Sequence, residues 1–353
     1  MVKSLPLILL GILLSLSLCG QDIHFTQFMN TPLQVSPGLT GVFSGNTRVG
    51  ATYRSQWNDV PVPFRTFSAY ADRKFNCGRE KPGYWSAGLA FNHDRAGDSR
   101  LTLMNMNGYG SYTQPLSKRA LLTVGANLGV GQRGFDTDDL RSDSQYDAGT
   151  GLANPSLGLG ENFNRTSLIF FDAGIGANLR LQAKQHTKTR SNQNDQEKRN
   201  RLDLGFGLHH LNRPNMSFLD DQKVNLPMRF AAYGDGLLQL SEKMDLQLGF
   251  QAQLQQAYRE YVGIAGVKLH LNQQRGKEFT IMGAMGLCSN NEFTDAWFPM
   301  LEFQFRDQLR VSASYNVTVS DFQTATGRNG GFELGVRYIF KKICPIKYCL
   351  PFI

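Results

Sequence analysis

The sequence predicts an all-β fold, a transmembrane antiparallel β-barrel of about fourteen strands, with an N-terminal segment packed at or in the lumen. Three observations carry this. An apolar stretch at the start has the length of an export signal. The rest of the chain holds long runs in which apolar and polar residues alternate with period two. No catalytic motif competes for a soluble reading.

Met1–Gly20 reads as a secretory signal. Lys3 supplies the positive start, and Leu5–Leu18 an apolar run of about fourteen residues where a membrane helix needs roughly twenty. Gly20 suits cleavage before Gln21. Cys19 offers a lipoprotein alternative, opposed by bulky Leu18 directly before it. A buried helix is disfavoured, since no acidic residue lies in its first turn and Ser4 is its one possible cap. Residues 21–45 form the next unit. They include Phe25, Phe28, Met29, Pro32, Leu33, Val35 and Leu39, too apolar to trail in water, so this segment is expected to be ordered at the periplasmic mouth or in the lumen.

Residues 46–340 carry the barrel pattern, and 341–353 form a periplasmic tail. A strand with lipid on one side and a polar interior on the other must alternate. Leu309, Val311, Ala313, Tyr315 and Val317 share one face, against Arg310, Ser312, Ser314, Asn316 and Thr318. The same holds for Met244–Leu254, Ile169–Arg180 and Phe332–Phe340. Strands are expected near 46–54, 65–75, 84–92, 101–114, 119–132, 167–182, 201–209, 225–239, 244–256, 260–271, 277–287, 296–306, 309–319 and 330–340. The run at 101–114 is ambiguous in phase, and Pro227 and Gly234 interrupt 225–239. An even count returns both barrel ends to the periplasmic side. Connections such as Pro115–Lys118, Ser241–Lys243 and Asp307–Gln308 are tight. Arg133–Thr166, His210–Val224 and Asp321–Asn329 are longer and fall outside, while Ala183–Asn200 is a long polar exception. Tyr258, Tyr261, Trp85, Trp297, Tyr338 and Phe340 are placed for aromatic girdles.

Arg48, Arg54, Asp72, Asp172, Arg180, Asp203, Glu302, Arg306, Glu333 and Arg337 fall at inward positions. They suit either a charged channel or ion pairs bracing a packed lumen. The net charge of +8 comes from scattered Lys and Arg with one cluster at Lys184–Arg201, a solvated loop and not a nucleic-acid site. His209 and His210 adjoin, but strand neighbours point to opposite faces, so no metal site is expected. No G-x-S-x-G, H-E-x-x-H, Walker or dinucleotide pattern appears; a non-enzyme without cofactor is expected. Cys77 and Cys288 stand apart. Cys344 and Cys349 suit either a small disulfide or two free thiols.

Several segments resemble one family, over essentially the whole mature length. Gln21–Pro32 (QDIHFTQFMNTP), Val35–Gly41 (VSPGLTG), Tyr53–Trp57 (YRSQW), His93–Ser99 (HDRAGDS), Phe135-Asp136 with Asp143–Asp147 (DSQYD), Leu208–Phe218 (LHHLNRPNMSF), Gly330–Glu333 (GGFE) and Cys344-Pro345 are similar, in order, to motifs of the PorP/SprF family of type IX secretion-system membrane proteins. Ser36 and Gly38 depart from that family's usual Asn and Ala. The resemblance implies a Gram-negative outer-membrane barrel tied to type IX secretion and, in gliding species, to surface adhesins. It also implies as partners outer-membrane lipid, secretion core components, and a secreted protein whose type IX C-terminal domain the barrel anchors. The alternative is a passive channel or hydrophobic-solute transporter. Candidate partner-binding or loop-structuring residues are Trp57, Phe64, Tyr146, Phe163, His210, Pro214, Met216 and Phe218. Phe340, closing the last strand, is the expected barrel insertion signal.

Overall fold

The computed structural model describes residues 22–56, 64–75, 83–97, 99–137, 143–147, 149, 152–154, 160, 165–183, 199–220, 223–274, 276–290, 294–320 and 329–341. The expectations for the signal at 1–20, Trp57, Phe163, Cys77, Cys344, Cys349 and the tail beyond Lys341 lie outside these residues.

Among the described residues sixteen strands follow one another: β1 (Thr47–Gln56), β2 (Phe64–Phe75), β3 (Tyr84–Ala96), β4 (Leu101–Pro115), β5 (Ala120–Gly134), β6 (Tyr146–Asp147), β7 (Leu152–Ala153), β8 (Ser167–Gln182), β9 (Arg201–His209), β10 (Arg229–Gln239), β11 (Met244–Gln255), β12 (Tyr258–Asn272), β13 (Phe279–Ser289), β14 (Thr294–Phe305), β15 (Leu309–Thr318) and β16 (Asn329–Phe340). β6 and β7 pair as a hairpin within one loop, and the other fourteen close an antiparallel barrel. The closing seam joins β1 to β16, from Thr47↔Phe340 to Gln56↔Gly331. We call that strand-terminus end the terminal end and the opposite one the loop end. Turns 116–119, 240–243 and 306–308 lie at the terminal end, and the long connections 135–166 and 210–228 at the loop end. Two expected boundaries are corrected. β3 runs on to Ala96 and not to 92. β10 begins at Arg229 and not at 225, because Pro227 has no N–H to give a ladder.

Alternation places the apolar side chains outside. Leu128, Ile169 and Phe171 are 73%, 70% and 70% exposed. An apolar band of this size is a liability in water and what lipid requires. Because the sheet closes on itself, each of the fourteen barrel strands is hydrogen-bonded to a neighbour on both sides, which is the condition for crossing a bilayer with strands. Among the described residues no helix is long and apolar enough to cross.

The interior has two sectors. Strands β12 to β14 present Val262, Ile264, Met282, Cys288, Ala296, Phe298 and Met300 inward, packed around Phe28 of the N-terminal segment. The rest of the wall is polar and charged, and several of the charges pair: Arg48 with Asp72 (2.8 Å), Arg180 with Asp203 (2.8 Å) and Arg201 with Asp235 (2.7 Å). Two expected orientations are corrected. Arg306 is not an inward residue; it lies past the end of β14 at positive φ, exposed, with its guanidinium 5.0 Å over the Phe305 ring. Tyr258 is not a girdle residue, since it faces the lumen with its ring 6.4 Å from that of His24.

Candidate functional site

The lumen is occupied by the chain's own N-terminal segment. Phe28–Asn30 and Pro37–Leu39 form single 3-10 turns, and Pro32–Val35 one turn of α-helix. So short a helix has no stability of its own, and the barrel wall holds it by contact. The backbone N–H groups of Thr26 and Gln27 donate to the Glu333 carboxylate (3.0 and 2.9 Å), as does the Thr26 hydroxyl (2.8 Å). Asn30 Nδ2 donates to Ser312 Oγ (2.7 Å). Further along, the Ser36 hydroxyl donates to Phe206 O (2.6 Å), Ser111 Oγ to Thr40 O (2.8 Å), and Gly41 N to Asp72 (2.7 Å). Asn46 N then donates to Phe340 O (3.0 Å) and leads into β1. The segment therefore runs from the loop end to the terminal end.

Three wall glycines make room for it. Gly125, Gly176 and Gly207 are registered against one another across β5, β8 and β9. A Cβ at Gly125 would stand 2.2 Å from Pro37 O, and one at Gly207 2.6 Å from Val35 O. Both are far inside contact distance, so Val35–Gly38 lies in a trough that only glycine leaves open. Gly38 answers from the other side, since its own Cβ would meet the Ala177 backbone at 2.6 Å. Alanine there, as in the similar family motif, would require a wider seat. Beside the segment the polar wall is stitched by amides. Asn92 and Asn107 donate to Asn105 Oδ1 (2.6 and 3.2 Å), and Asn127 donates to Asn107 (3.2 Å). The polar cavity left there is about 30 Å³, room for a water molecule or two and not for a solute.

At the loop end the segment is latched by ionic contacts. His210 lies between Asp172 Oδ1 and Asp22 Oδ2, 2.9 Å from each, and Arg229 reaches the same Asp22 oxygen at 3.1 Å. Burial alone would lower the His210 pKa; the Asp22 charge and the hydrogen bonds with Asp172 and Asp22 override it and hold the imidazole at about 9. Asp22 moves the opposite way. Burial raises it, but Arg229 and then His210 pull it below the usual carboxylate range. The expectation that His209 and His210 face apart is overturned. His210 leaves the strand at φ 58, so both rings turn inward, their centroids 6.4 Å apart. His209 Nε2 is 3.2 Å from Val35 O, which makes it a further support of the segment.

The loop after His210 folds back over the mouth. Met216 N donates to Val224 O (2.7 Å) and Leu226 N to Pro214 O (2.8 Å), and Asn215 bridges to Asn225. Met216 is buried against Leu168 and Phe170, with Leu103, Phe218 and Leu226 alongside. The Phe218 ring meets Phe135 edge-on at 4.7 Å, and Arg133 lies 5.5 Å above it. Pro214 is buried too. In this arrangement His210, Pro214, Met216 and Phe218 are the residues that hold the loop down. Phe64 opens β2 at the loop end, half-buried, and Tyr146 in the β6–β7 hairpin is 59% exposed. Phe340 faces outward at 49% exposure, edge-on to Tyr338 at 4.7 Å. The structure thus brings His210 to Met216 together at one mouth and leaves Phe340 at the other end. Asp172 and Glu333 face inward as expected from sequence, whereas Asp22 and Arg229 were not singled out; inward glycines on successive strands are the legible sign of a close-packed insert.

The chain matches the family model described as type IX secretion system membrane protein PorP/SprF over residues 18–338. No curated protein matches it. Among solved structures it is similar to the toluene transporter TbuX of Ralstonia pickettii (11% identity, TM-score 0.48, covering 88% of this chain and 94% of that one). It is likewise similar to the P. putida toluene transporter TodX (11%, 0.48, 89% and 95%) and to CdiB from Acinetobacter baumannii (10%, 0.40, 83% and 60%).

Proposed function

The chain belongs to the type IX secretion system membrane protein PorP/SprF family, and from that membership we propose that it is an outer-membrane barrel that anchors a secreted surface protein, receiving the partner's C-terminal domain on its loop end. The short turns 116–119, 240–243 and 306–308 at the terminal end, where 183–200 is the long exception, and the long connections 135–166 and 210–228 at the loop end support placing the former end in the periplasm and the latter outside. The observation that carries the reading is the filled lumen. With Phe28, Val35 and Leu39 packed inside and a cavity of about 30 Å³ beside them, the surface left for a partner is the outer one. Met216 is buried, so the anchors of such a contact are exposed apolar residues of the two loop-end connections: Tyr146, Leu152, Leu211 and Val224. An exposed tyrosine is the kind of side chain that dominates affinity in protein interfaces, and aliphatic neighbours exclude water around it. Secretion core components and lipid complete the expected partners.

The test is surface display of the cognate secreted protein in cells carrying Tyr146→Ser with Leu152→Ser, or Leu211→Ser with Val224→Ser. Heat-modifiable barrel must be confirmed in the outer membrane, with Met216→Ser as a loop-unpacking comparator. Lost display with a normal barrel supports the receptor role. Normal display in both exposed-surface variants removes it, and steady single-channel conductance of the intact barrel in planar bilayers would favour the channel alternative.

A further inference from the structure

We propose that the terminal mouth of the lumen holds a binding site for an oxyanion, a carboxylate or phosphate, built from Arg337, Arg310 and the Tyr70 hydroxyl. This goes beyond the anchoring role and does not rest on it. Strand register sets the residues in one row: Tyr70 opposite Gly50, Gly50 opposite Arg337, and Arg337 opposite Arg310. Gly50 is what lets the row form. A Cβ there would lie 2.6 Å from the Tyr70 ring and 2.7 Å from its Oη, so the ring crosses the bare β1 backbone and carries its hydroxyl to the residue registered against Arg337.

Part of the donor capacity here is unused among the described residues, although the terminal nitrogens of Arg310 reach Gln304 Oε1 (3.2 Å) and Glu302 (3.2 Å). Tyr70 is 6% exposed, and its Oη, like Nε of Arg310 and of Arg337, has no hydrogen-bond partner. The charges do not balance either. Glu302 serves both Lys268 (3.4 Å) and Arg310 (3.2 Å), while Asp72 is taken by Arg48 and by Gly41 N. Arg337 makes no ion pair among the described residues, and the charged groups that act on it are two further cations, Arg310 and Arg48, against one anion, the Glu302 that Lys268 and Arg310 already share. Elsewhere in the lumen Arg180 and Arg201 meet Asp203 and Asp235 in equal number. A desolvated guanidinium without an anion is costly, and its planar fork fits carboxylate and phosphate oxygens, with a phenol as third donor. Arg310 and Arg337 are each partly exposed and close to strand ends at the terminal mouth, so a ligand arrives from that side. Its source is either a free anion or an acidic side chain of a polypeptide presented to the mouth.

The experiment uses the full-length barrel in detergent at constant ionic strength in chloride, titrated with inorganic phosphate and, separately, with a hexaglutamate peptide by calorimetry. Saturable binding of either probe is expected, weakened roughly tenfold or more by Arg337→Gln and several-fold by Tyr70→Phe. In chloride alone Arg337→Gln should melt at or above wild type, since it removes an unpaired charge, which separates lost binding from lost fold. Phosphate binding without peptide binding assigns a free-anion site, and peptide binding assigns an acidic partner segment; both support the proposal. Binding of neither probe, equal response of wild type and Arg337→Gln, or a lower melting point of Arg337→Gln in chloride overturns it.

Discussion

The imidazole of His210 and the carboxylate of Asp22 lie 2.9 Å apart across 188 positions of sequence. One belongs to the loop that covers the mouth and the other to the segment that fills the lumen. A single contact therefore couples the lid to the plug, with Asp172 and Arg229 completing the cluster.

The coupling is pH-dependent, with a definite sign. His210 is held at about 9 against an ordinary 6.5. A folded value above the unfolded one means that the stabilisation is fully present below about pH 6.5 and is lost as pH rises through about 9. It is on the order of 3 kcal/mol. The groups facing His210 are Asp22, Asp172, Arg229 and His209, and Asp22, held low, gives way only in strong acid. Proteolysis of the N-terminal segment should accelerate between pH 7 and 10 in wild type. In His210→Gln it should be faster at pH 7 and flat across the range. Identical profiles would rule out the latch.

Gly207→Val and Gly125→Val should unseat Val35–Gly38, with the barrel still closed, because each new side chain starts inside the segment's backbone. Overpacking of this kind costs about 1–3 kcal/mol, occasionally more. Gly283→Ala, where a Cβ meets nothing within 4 Å, should be neutral. Thermal unfolding of heat-modifiable protein, compared across the three variants, checks the ranking.

Glu333→Ala removes the acceptor of three hydrogen bonds from Thr26 and Gln27 and should destabilise the plug by about 3 kcal/mol. Hydrogen exchange at 22–41 is the readout, and unchanged protection there would contradict the assigned seat.

Phe340→Asp should reduce the amount of barrel in the outer membrane, because it puts a charge on the lipid face of the closing strand. Truncation after Lys341 should be milder. Fractionation with the opposite ranking would reject Phe340 as the insertion signal.

The strands were legible in sequence because a polar interior against a lipid exterior forces alternation, as in Leu309–Thr318, where Arg310, Ser312, Ser314 and Asn316 all face in. The apolar sector was not. In β12 both Val262 and Ile264 inside and Val267 and Leu269 outside are apolar, so alternation says little about what the inner face packs against. Arg306 was misplaced because alternation was extended one residue past the strand into a left-handed turn, and His210 was misjudged for the same reason. The apolar character of 21–41 announced that the segment would be ordered, but its path depends on shape. Nothing in a run of Phe25, Phe28 and Leu33 says that Gly125, Gly176 and Gly207 will line up to receive it.

The N-terminal segment is encircled by a sheet whose last seam joins Thr47–Gln56 to Gly331–Phe340. The barrel is open at both mouths, so the segment can enter along its axis, but its contacts with β16 exist only once β16 stands in the wall. Each strand that joins the wall adds contacts to the segment, so its seating and the closing of the sheet reinforce one another. Contacts such as Thr26 with Glu333, separated by 307 positions, carry the largest loop-closure entropy in the chain and form last. Such a barrel should fold slowly, and its seated segment should in turn hold the seam shut.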